Sequence, residues 1–480
     1  MSGMEFTGSS VGGTPPDPNP NPHANLGFLT LTITFSSTSL LPATPEIASE
    51  FHTTTETLDI TNAGVLLAMG FSSLIWGPLN KLLGRRIAYN IAILVLVAAS
   101  AGTAVARDMR TFTALRVLGG LTGTGFMVTG QTVLADVFEP VVRGTAVGLF
   151  MVGTVAGPAI GPCIGGIIVT FSSWRNIYWV QVAMSGFGLV MSLLFVPEIP
   201  SADAKAAETD TDADTDGETH ADADADADLD LSEKPTTKKQ KQKVSCRELL
   251  SAFNPVRVFR LWVYPNIFLA DLTCGLLSTF QYSILTSARS IFNPRFHLST
   301  ALVSGLFYLA PGAGFLVGSV LGGRLSDRMV KRWIVKRNGV RLPQDRLNSG
   351  LITLLGVLPV AALVYGWTLQ EGVGGMAVPI VAAFFGGVGL MGSFNGLNTY
   401  AAEALPHRRS EVISGKYIIQ YLFSAGSSAA VDPLIGAIGV GWTFTICVFF
   451  SLIGGVLVIL ITRKGLDMQR WVERRIGVQG

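Results

Sequence analysis

The sequence predicts an all-α membrane protein whose twelve transmembrane helices form two pseudo-symmetric six-helix bundles. Hydrophobic residues make up 49% of the 480 residues, charged residues only 14%, and the mean hydropathy is +0.46. Soluble proteins carry about 25% charged residues. Windows of about 20 apolar residues, the length that crosses a bilayer, recur along the chain in two groups of six. A polar stretch at 197–260 separates the two groups.

The apolar windows define the predicted spans and domains. The first group falls at 26–43, 61–79, 87–106, 112–134, 145–170 and 176–196. The second group falls at 261–286, 300–322, 349–368, 376–402, 411–435 and 441–462. The domains we expect are an N-terminal tail at 1–25, a bundle at 26–196, a linker at 197–260, a second bundle at 261–462 and a C-terminal tail at 463–480.

The placement of Lys and Arg predicts the orientation in the membrane. If both termini are cytoplasmic, the cytoplasmic segments hold 28 of the 35 Lys and Arg residues, whereas five lie outside and two lie within spans. The opposite orientation would invert this ratio, against the preference of these residues for the cytoplasmic side. We therefore expect both tails and the linker in the cytoplasm.

The linker has a composition typical of disorder. Residues 201–233 contain thirteen acids among repeated Asp-Ala and Asp-Thr pairs, and a Lys-rich run follows. Asp212, Asp214, Asp216 and Gly217 start like a calcium-binding loop, but its twelfth position would be Ala223 where the loop needs a bidentate Glu. Calcium binding is not expected.

The remaining motifs do not favour an enzyme or a nucleic-acid-binding protein. The chain has no Gly-x-x-x-x-Gly-Lys-Ser/Thr phosphate loop. Its four cysteines are scattered without metal-ligand spacing, and none of its five histidines falls within a predicted span. No Lys/Arg-rich patch is interleaved with aromatic residues. We expect no catalysis, no cofactor, no metal and no nucleic acid; the expected partners are a small-molecule substrate, protons and the lipid bilayer.

Charged residues inside predicted spans are the first functional candidates, because charge in the bilayer interior is costly. Asp271 lies ten residues into the seventh span, near its middle. A low-dielectric environment favours the neutral form of a carboxyl group, so Asp271 is a candidate for binding and releasing protons, or else a structural acid bonded to its neighbours. Lys416, close to the end of the eleventh span, is expected to extend its amine to the membrane surface.

Uncharged polar residues deep in the spans are candidates for a substrate cavity. Hydrogen bonding between helices is the alternative role for each of them. The candidates are Gln131, Gln281, Asn395, Asn398 and Gln420.

The fifth span has an unusual pattern of glycine and proline. Glycines recur every four residues from Gly153 to Gly165, which places them on one face of a helix. Such a face allows another helix to approach closely. Because Gly314, Gly318 and Gly322 repeat this spacing in the eighth span, we expect the two glycine faces to pack together.

The two halves also repeat a motif after their second spans. The segment from Gly77 to Arg86 and the segment from Gly323 to Arg332 both begin Gly-x-Leu and end in basic residues. An internal repeat of this kind is typical of transporters. Simple anchoring of cytoplasmic loops by basic residues is the alternative explanation.

Together these motifs resemble the major facilitator superfamily, in its twelve-helix drug:proton antiporter branch and especially its fungal multidrug and metabolite exporters. The resemblance covers nearly the whole chain outside the N-terminal tail and the linker. The implied gating residues are Gly77, Gly84, Arg85, Arg86, Asp136, Arg143, Asp327 and Arg328. The residues similar to the antiporter signature are Gly153, Gly157, Pro158, Gly161, Pro162, Gly165 and Gly166.

The chain departs from the family pattern at two positions. Lys81 stands where the loop after the second span usually has an Asp, the acid that helps lock the outward-open state in the family. Gly119 stands where the fourth-helix signature usually has Gln. The resemblance still makes Arg116, in that signature, a second candidate for proton coupling.

The resemblance implies a monomeric plasma-membrane antiporter, with the vacuolar membrane as the alternative. It would export a hydrophobic or amphipathic drug, toxin or secondary metabolite in exchange for protons, by alternating access. The gate would close when basic loops pair with acids such as Asp136, Glu198 and Asp327. Two other functions remain open: an uptake symporter or facilitator for an organic acid or nutrient, and a non-transporting receptor or scaffold.

Overall fold

A computed structural model of the chain describes residues 30–32, 34–195, 255–292, 295–297 and 301–476. The N-terminal tail, most of the predicted linker and Glu198 lie outside the described residues. In the first half, α1 comprises residues 30–32 and 34–38. It is followed by α2 (Thr44–Glu50), α3 (Thr55–Leu83), α4 (Arg85–Ala104), α5 (Met109–Gly120), α6 (Gly123–Val137), α7 (Arg143–Phe171) and α8 (Arg175–Phe195).

The second half begins with a short helix, α9 (Val256–Phe259). The longer helices that follow are α10 (Pro265–Ser287), α11 (Ala301–Phe307), α12 (Leu309–Lys336), α13 (Leu358–Glu371), α14 (Ala377–Ala404), α15 (Arg409–Ile438) and α16 (Val440–Ile476). A 3-10 helix at Pro343–Gly350 and a π-helix at Thr353–Val357 lead into α13.

Nine of the described helical segments are long and apolar enough to cross a bilayer. They are Thr55–Asn80, Arg86–Ala104, Arg143–Phe171, Arg175–Leu194, Pro265–Ser287, Ala301–Lys336, Pro343–Glu371, Ala377–Ala404 and Val440–Arg475. Large apolar side chains are exposed on their outer surfaces, for example Phe171 at 78% and Leu194 at 69%. Such a surface is stable in lipid rather than in water.

The three other predicted spans are also helical, with differences from the prediction. The fourth span is broken at Leu121 and Thr122, between α5 and α6. In the first, residues 30–32 and 34–38 form α1 and Leu41–Ala43 form a 3-10 helix, whereas 26–29 lie outside the described residues. The eleventh is the single helix α15, which includes Lys416 and many serines and is therefore less apolar than the nine segments.

Local signals in the sequence explain where several helices begin and end. The hydroxyl of Thr54 accepts a hydrogen bond from the Thr57 N–H (3.3 Å) and caps α3. Asp108 caps α5: the N–H and the hydroxyl of Thr111 donate to it, and these bonds lower the pKa of this exposed carboxyl. Gly84 joins α3 to α4 with φ +81°, a conformation that glycine adopts without strain.

The core joins the two halves. One hydrophobic cluster contains Leu66 and Met69 of α3, Met127 of α6, and Tyr417 and Tyr421 of α15. Helix α7 packs along α11 and α12, and α3 packs along α15. These two contacts, the α7/α12 junction and the α3/α15 junction, hold the bundles together around a central cavity.

Candidate functional site: a central cavity and its gate

One end of the bundle carries a buried ionic cluster at the α7/α12 junction; we call it the arginine-rich end. Asp327 of α12 accepts hydrogen bonds from the N–H groups of Gly144 (2.8 Å) and Thr145 (2.7 Å), and from the Thr145 hydroxyl (2.7 Å). The N–H groups in the first turn of a helix lack intrahelical partners, and the helix dipole favours an anion there. An acid of the second half is thus docked on the start of α7 in the first half.

Arginines complete this cluster. The fully buried Arg346 pairs with Asp327 (3.1 Å) and with Glu403 of α14 (2.9 Å), and it also donates to the Pro140 carbonyl. Glu403 pairs further with Arg143 of α7 (3.0 Å) and with Arg341 (2.6 Å). Because removal of one partner from a buried ion pair leaves an uncompensated charge, the pairing of these buried groups depends on contact between the two halves.

A further ion pair links the halves with the arginine in the second half and the acid in the first. Arg409, at the start of α15, pairs with Asp136 at the end of α6 (2.5 Å) and donates to the Ala135 carbonyl (3.2 Å). Arg143 donates to the same carbonyl (2.7 Å). The arginine that begins each junction helix therefore pairs with an acid of the other half.

The α3/α15 junction is less tightly closed. A crevice of about 70 Å³ lies between the end of α3, at Gly77 and Pro78, and the first turns of α15, at Ser410 and Ser414. Lys81 of α3 occupies the position in the repeat that corresponds to Asp327. The α3/α15 junction therefore has a lysine at the position where the α7/α12 junction has Asp327.

The central cavity is lined by both halves. Its volume of about 50 Å³ is far below the roughly 300–1,000 Å³ of typical ligand pockets, so the site is contracted in this conformation. The walls combine tyrosine, methionine and amide side chains. The lining residues are Thr34, Ser37, Met127, Met151, Thr154, Val155, Pro158, Gln281, Tyr282, Met391, Phe394, Asn398, Tyr417, Gln420 and Tyr421.

Two buried charges lie between this cavity and the arginine-rich end. Asp271 of α10 and Lys416 of α15 are each 1% exposed. The indole Nε1 of Trp262 donates to Asp271 Oδ2 (3.2 Å), whereas Oδ1 has no hydrogen-bond partner among the described residues. Asp271 faces α15 at Gly415, where an added Cβ would lie 3.5 Å from Oδ2.

Lys416 connects this region to the cavity wall. Its amine donates to Asn398 Oδ1 (2.6 Å) and lies 3.6 Å from the centre of the Tyr417 ring. No carboxylate of the described residues lies within ion-pair distance of this amine. The expectation that Lys416 reaches the membrane surface is wrong, because α10 and α14 pack against α15 and cover it.

Comparison with known proteins decides the family. A family profile described as the Major Facilitator Superfamily matches residues 26–430. The chain belongs to the major facilitator superfamily. The predicted fold class is thereby confirmed.

Curated relatives and a solved structure agree with this assignment. The MFS transporter OpS2 of Beauveria bassiana is 30% identical over 338 residues, which cover 69% of this chain and 93% of that protein. The efflux pump radE of Floropilus chiversii is 25% identical, over 87% of this chain and 74% of that protein. The chain spans 66% of the length of another fungal MFS-type transporter. The human organic anion transporter MFSD10 shares the fold, with a TM-score of 0.66 at 15% identity, over 93% of this chain and all of MFSD10.

Three of the five predicted cavity residues of this superfamily member line the cavity, and the other two do not. Gln281, Asn398 and Gln420 line the cavity. Gln131 lies next to it and donates to the Tyr417 hydroxyl (2.7 Å). Asn395 instead donates to the Ser319 carbonyl (2.7 Å) and joins α14 to α12.

The two proton-coupling candidates are not brought together. Arg116 of α5 donates to Asn62 Oδ1 (3.1 Å), stacks on Phe112 (5.6 Å) and does not line the cavity. Asp271 is the sixth residue after the start of α10, about 9 Å along the helix at 1.5 Å per residue. It is therefore nearer the arginine-rich end than the predicted middle of the membrane.

Of the predicted gating residues, Asp136, Arg143 and Asp327 form ion pairs at the arginine-rich end. Arg86 donates to the Leu193 carbonyl (2.7 Å), Arg328 is exposed, and the Arg85 side chain is outside the described part of the chain. Three residues of the ionic cluster were not predicted from the sequence: Arg346, Arg341 and Glu403. Glu403 could have been noticed, because it is the only charged residue from 376 to 404.

The glycine motif of α7 packs differently from the prediction. Gly157, Gly161 and Gly165 contact residues 34–39 of the first span, where an added Cβ would collide with backbone or hydroxyl groups. Gly314, Gly318 and Gly322 contact α14, not this face of α7. The predicted pairing of the two glycine faces is wrong.

A different face of α7 contacts the eighth span. Gly144 and Gly148 approach Gly323 and the Ser319 carbonyl of α12. At the other end of α7, Pro162 and Gly166 contact α11. Pro158 lies in the cavity wall, so the motif touches the first span, the cavity and the second half at once.

Proposed function

We propose that this protein exports a small hydrophobic or amphipathic organic compound in exchange for protons, by alternating access. The observation that carries the proposal is Asp271, a buried carboxyl group with one oxygen left without a hydrogen bond. A desolvated carboxyl group of this kind favours its neutral form and can hold a proton. Buried charges in membrane helices are functional candidates by default.

Electrostatic attraction between Asp271 and Lys416, rather than a direct contact, offers a route from proton to substrate. When Asp271 is protonated, the amine of Lys416 keeps its bond to Asn398. When Asp271 loses the proton, its negative charge attracts the lysine and weakens that bond. Asn398 lines the cavity, so a change in the protonation state of Asp271 would affect the substrate site through the side chain of Lys416.

The ionic cluster around Asp327 supplies the gate of this mechanism. The excess of Lys and Arg at the arginine-rich end favours placing that end, with both termini, in the cytoplasm. The conformation described here is then closed to the cytoplasm. Opening requires Asp327 and Arg346 to separate from α7, and the change in cavity volume accompanies that movement.

Two features support export over uptake. The segment from Gly153 to Gly166 resembles the antiporter signature, and the relative radE is named an efflux pump. We place the transporter in the plasma membrane, with the vacuolar membrane as the alternative. A proton-driven uptake system would instead accumulate its substrate inside cells.

Efflux measurements on intact cells test this function. Cells expressing the protein should keep a low internal level of a fluorescent amphipathic compound, and a protonophore should abolish this effect. Unchanged efflux after collapse of the proton gradient would rule out antiport.

The variant Asp271→Asn tests the coupling residue. It should be expressed normally and transport without dependence on pH, because an amide cannot exchange a proton. Glu371→Gln, an exposed acid at the end of α13, is the matched control and should behave as wild type. Wild-type pH dependence in Asp271→Asn would remove Asp271 from the mechanism.

A further inference from the structure

The segment immediately before α10 has the character of a membrane-surface element. Val258 and Leu261 are buried, at 8% and 1%, and hold the segment against the bundle. Val256, Phe259 and Val263 point outward, with exposures of 53%, 38% and 53%. Exposed apolar side chains next to basic ones are typical of segments that lie in the headgroup region of a bilayer.

A pocket of about 420 Å³ lies between this segment and the start of α15. Its lining contains three guanidinium groups, of Arg257, Arg260 and Arg408, and one carboxylate, of Glu411. Arg408 pairs with Glu411 (2.6 Å) and donates to the Arg257 carbonyl (2.9 Å). In the part of the chain that the structure describes, no carboxylate pairs with Arg257 or Arg260. The pocket therefore presents two positive charges that no carboxylate of the described residues neutralises.

We propose that this pocket binds the headgroup of an anionic phospholipid. The planar guanidinium groups of Arg257 and Arg260 match the geometry of phosphate oxygens. The exposed side chains of Val256, Phe259 and Val263 provide an apolar surface beside the pocket for the acyl chains. A free phosphate would use only the arginines, whereas a lipid uses both features. Basic pockets between helices on the cytoplasmic side are suited to such headgroups.

The lipid would contact the segment that holds Trp262. The rings of Phe259 and Trp262 are 5.1 Å apart in an edge-to-face arrangement, and Trp262 donates to Asp271. Two side chains, Phe259 and Trp262, would therefore separate the bound lipid from Asp271, the proposed coupling residue. The binding itself does not depend on the direction or the coupling of transport.

Lipid binding to the full-length protein tests this inference. In detergent, the protein should retain fluorescent phosphatidylserine in preference to phosphatidylcholine. The double variant Arg257→Gln/Arg260→Gln should weaken phosphatidylserine binding about tenfold or more, since each basic residue near an anionic headgroup contributes substantially. Arg257→Lys, which keeps the charge and loses the planar fork, should show a smaller loss.

The matched control is Arg470→Gln/Arg474→Gln, which removes two exposed charges near the end of α16. Equal loss of phosphatidylserine binding in this control would show general charge attraction and overturn the proposal. Full displacement of the lipid by millimolar inorganic phosphate would identify a free-anion site instead. A large gain in lipid affinity after excision of the acidic run 201–233 would identify the chain itself as the occupant. We expect that phosphate does not displace the lipid and that the excision does not raise the lipid affinity.

Discussion

The two junctions between the halves follow one plan and close to different extents. At the α7/α12 junction, Gly144 and Gly323 bring the helix backbones into contact and Asp327 docks on the start of α7. At the α3/α15 junction, Gly77 borders an open crevice and Lys81 replaces the acid. The two repeats thus place their helices alike, but among the described residues only the α7/α12 junction has an acid, Asp327, that docks on the facing helix. We expect opening to begin at the α3/α15 junction.

The largest effect should come from Asp327→Asn. This change leaves Arg346 buried with one partner fewer, and breaking a buried ion pair costs about 3–5 kcal/mol. The arginine-rich end should open, which would lengthen the distance between spin labels on the exposed Leu83 and Lys336. Arg328→Gln, an exposed neighbour, is the control. An unchanged distance distribution in Asp327→Asn would show that the cluster does not hold the gate.

A pair of glycine substitutions compares the junctions directly. In Gly144→Ala the new Cβ would lie 2.5 Å from Asp327 Oδ1 and 3.0 Å from the Gly323 carbonyl, whereas no described atom lies within 4 Å at Gly77. Overpacking costs about 1–3 kcal/mol, so Gly144→Ala should lower the melting temperature. Gly77→Ala should be neutral or slightly stabilising, since Ala favours helix. Equal losses would mean that the two junctions are equally tight.

A smaller effect is expected from Lys81→Asp, which puts an acid in the corresponding position of the open junction. An acid at a helix N-terminus contributes about 0.3–1 kcal/mol, so the closed state should become more stable and transport a few times slower. The same change should partly reverse the opening caused by Asp327→Asn. Absence of any rescue would show that the crevice cannot accept a docked acid.

The least disruptive test compares solvent access at the two junctions. In a background without native cysteines, Ser414→Cys should react with a charged thiol reagent on the order of ten times faster than Ser326→Cys. Both serines are buried, but Ser414 lines the crevice and Ser326 lies in the ionic cluster. Similar rates would mean that water does not enter the crevice. Ser414→Cys should change stability little, whereas Ser326→Cys also loses the bond from Arg346 (3.4 Å).

The sequence predicted the fold class because hydropathy and repeat motifs are local properties. It did not predict which helices meet. The glycine spacing of α7 indicated a close-packed face, but the partner is the first span, because periodicity defines a face and not its neighbour. The break in the fourth span at Leu121 has a local signal, the glycines at 119, 120, 123 and 125, but membrane helices also tolerate glycine in their interior.

The candidate site was predictable in part. Asp271 was recognisable as a charge within an apolar window, and its burial is as expected. The bond from Lys416 to Asn398 was not, because it joins α15 to α14 and depends on their packing. Arg346 was overlooked for the same reason: it lies just before a predicted span, where a charge has no special meaning until its partner is known. Glu403 was visible as the only charged residue from 376 to 404, but its arginine partners depend on the packing.

The shared carbonyl of Ala135 gives the gate one further property. Arg143 and Arg409 donate to this one oxygen from opposite halves, so it is an anchor common to both ion pairs. A displacement that separates the halves strips Arg409 from Ala135 and Asp136 in the same step that strips Arg143 from Glu403. Once the crevice at the α3/α15 junction has widened, these two ion pairs should therefore break together. A small molecule bound to Ala135 and Asp136 would keep the halves apart and act as an inhibitor without entering the cavity.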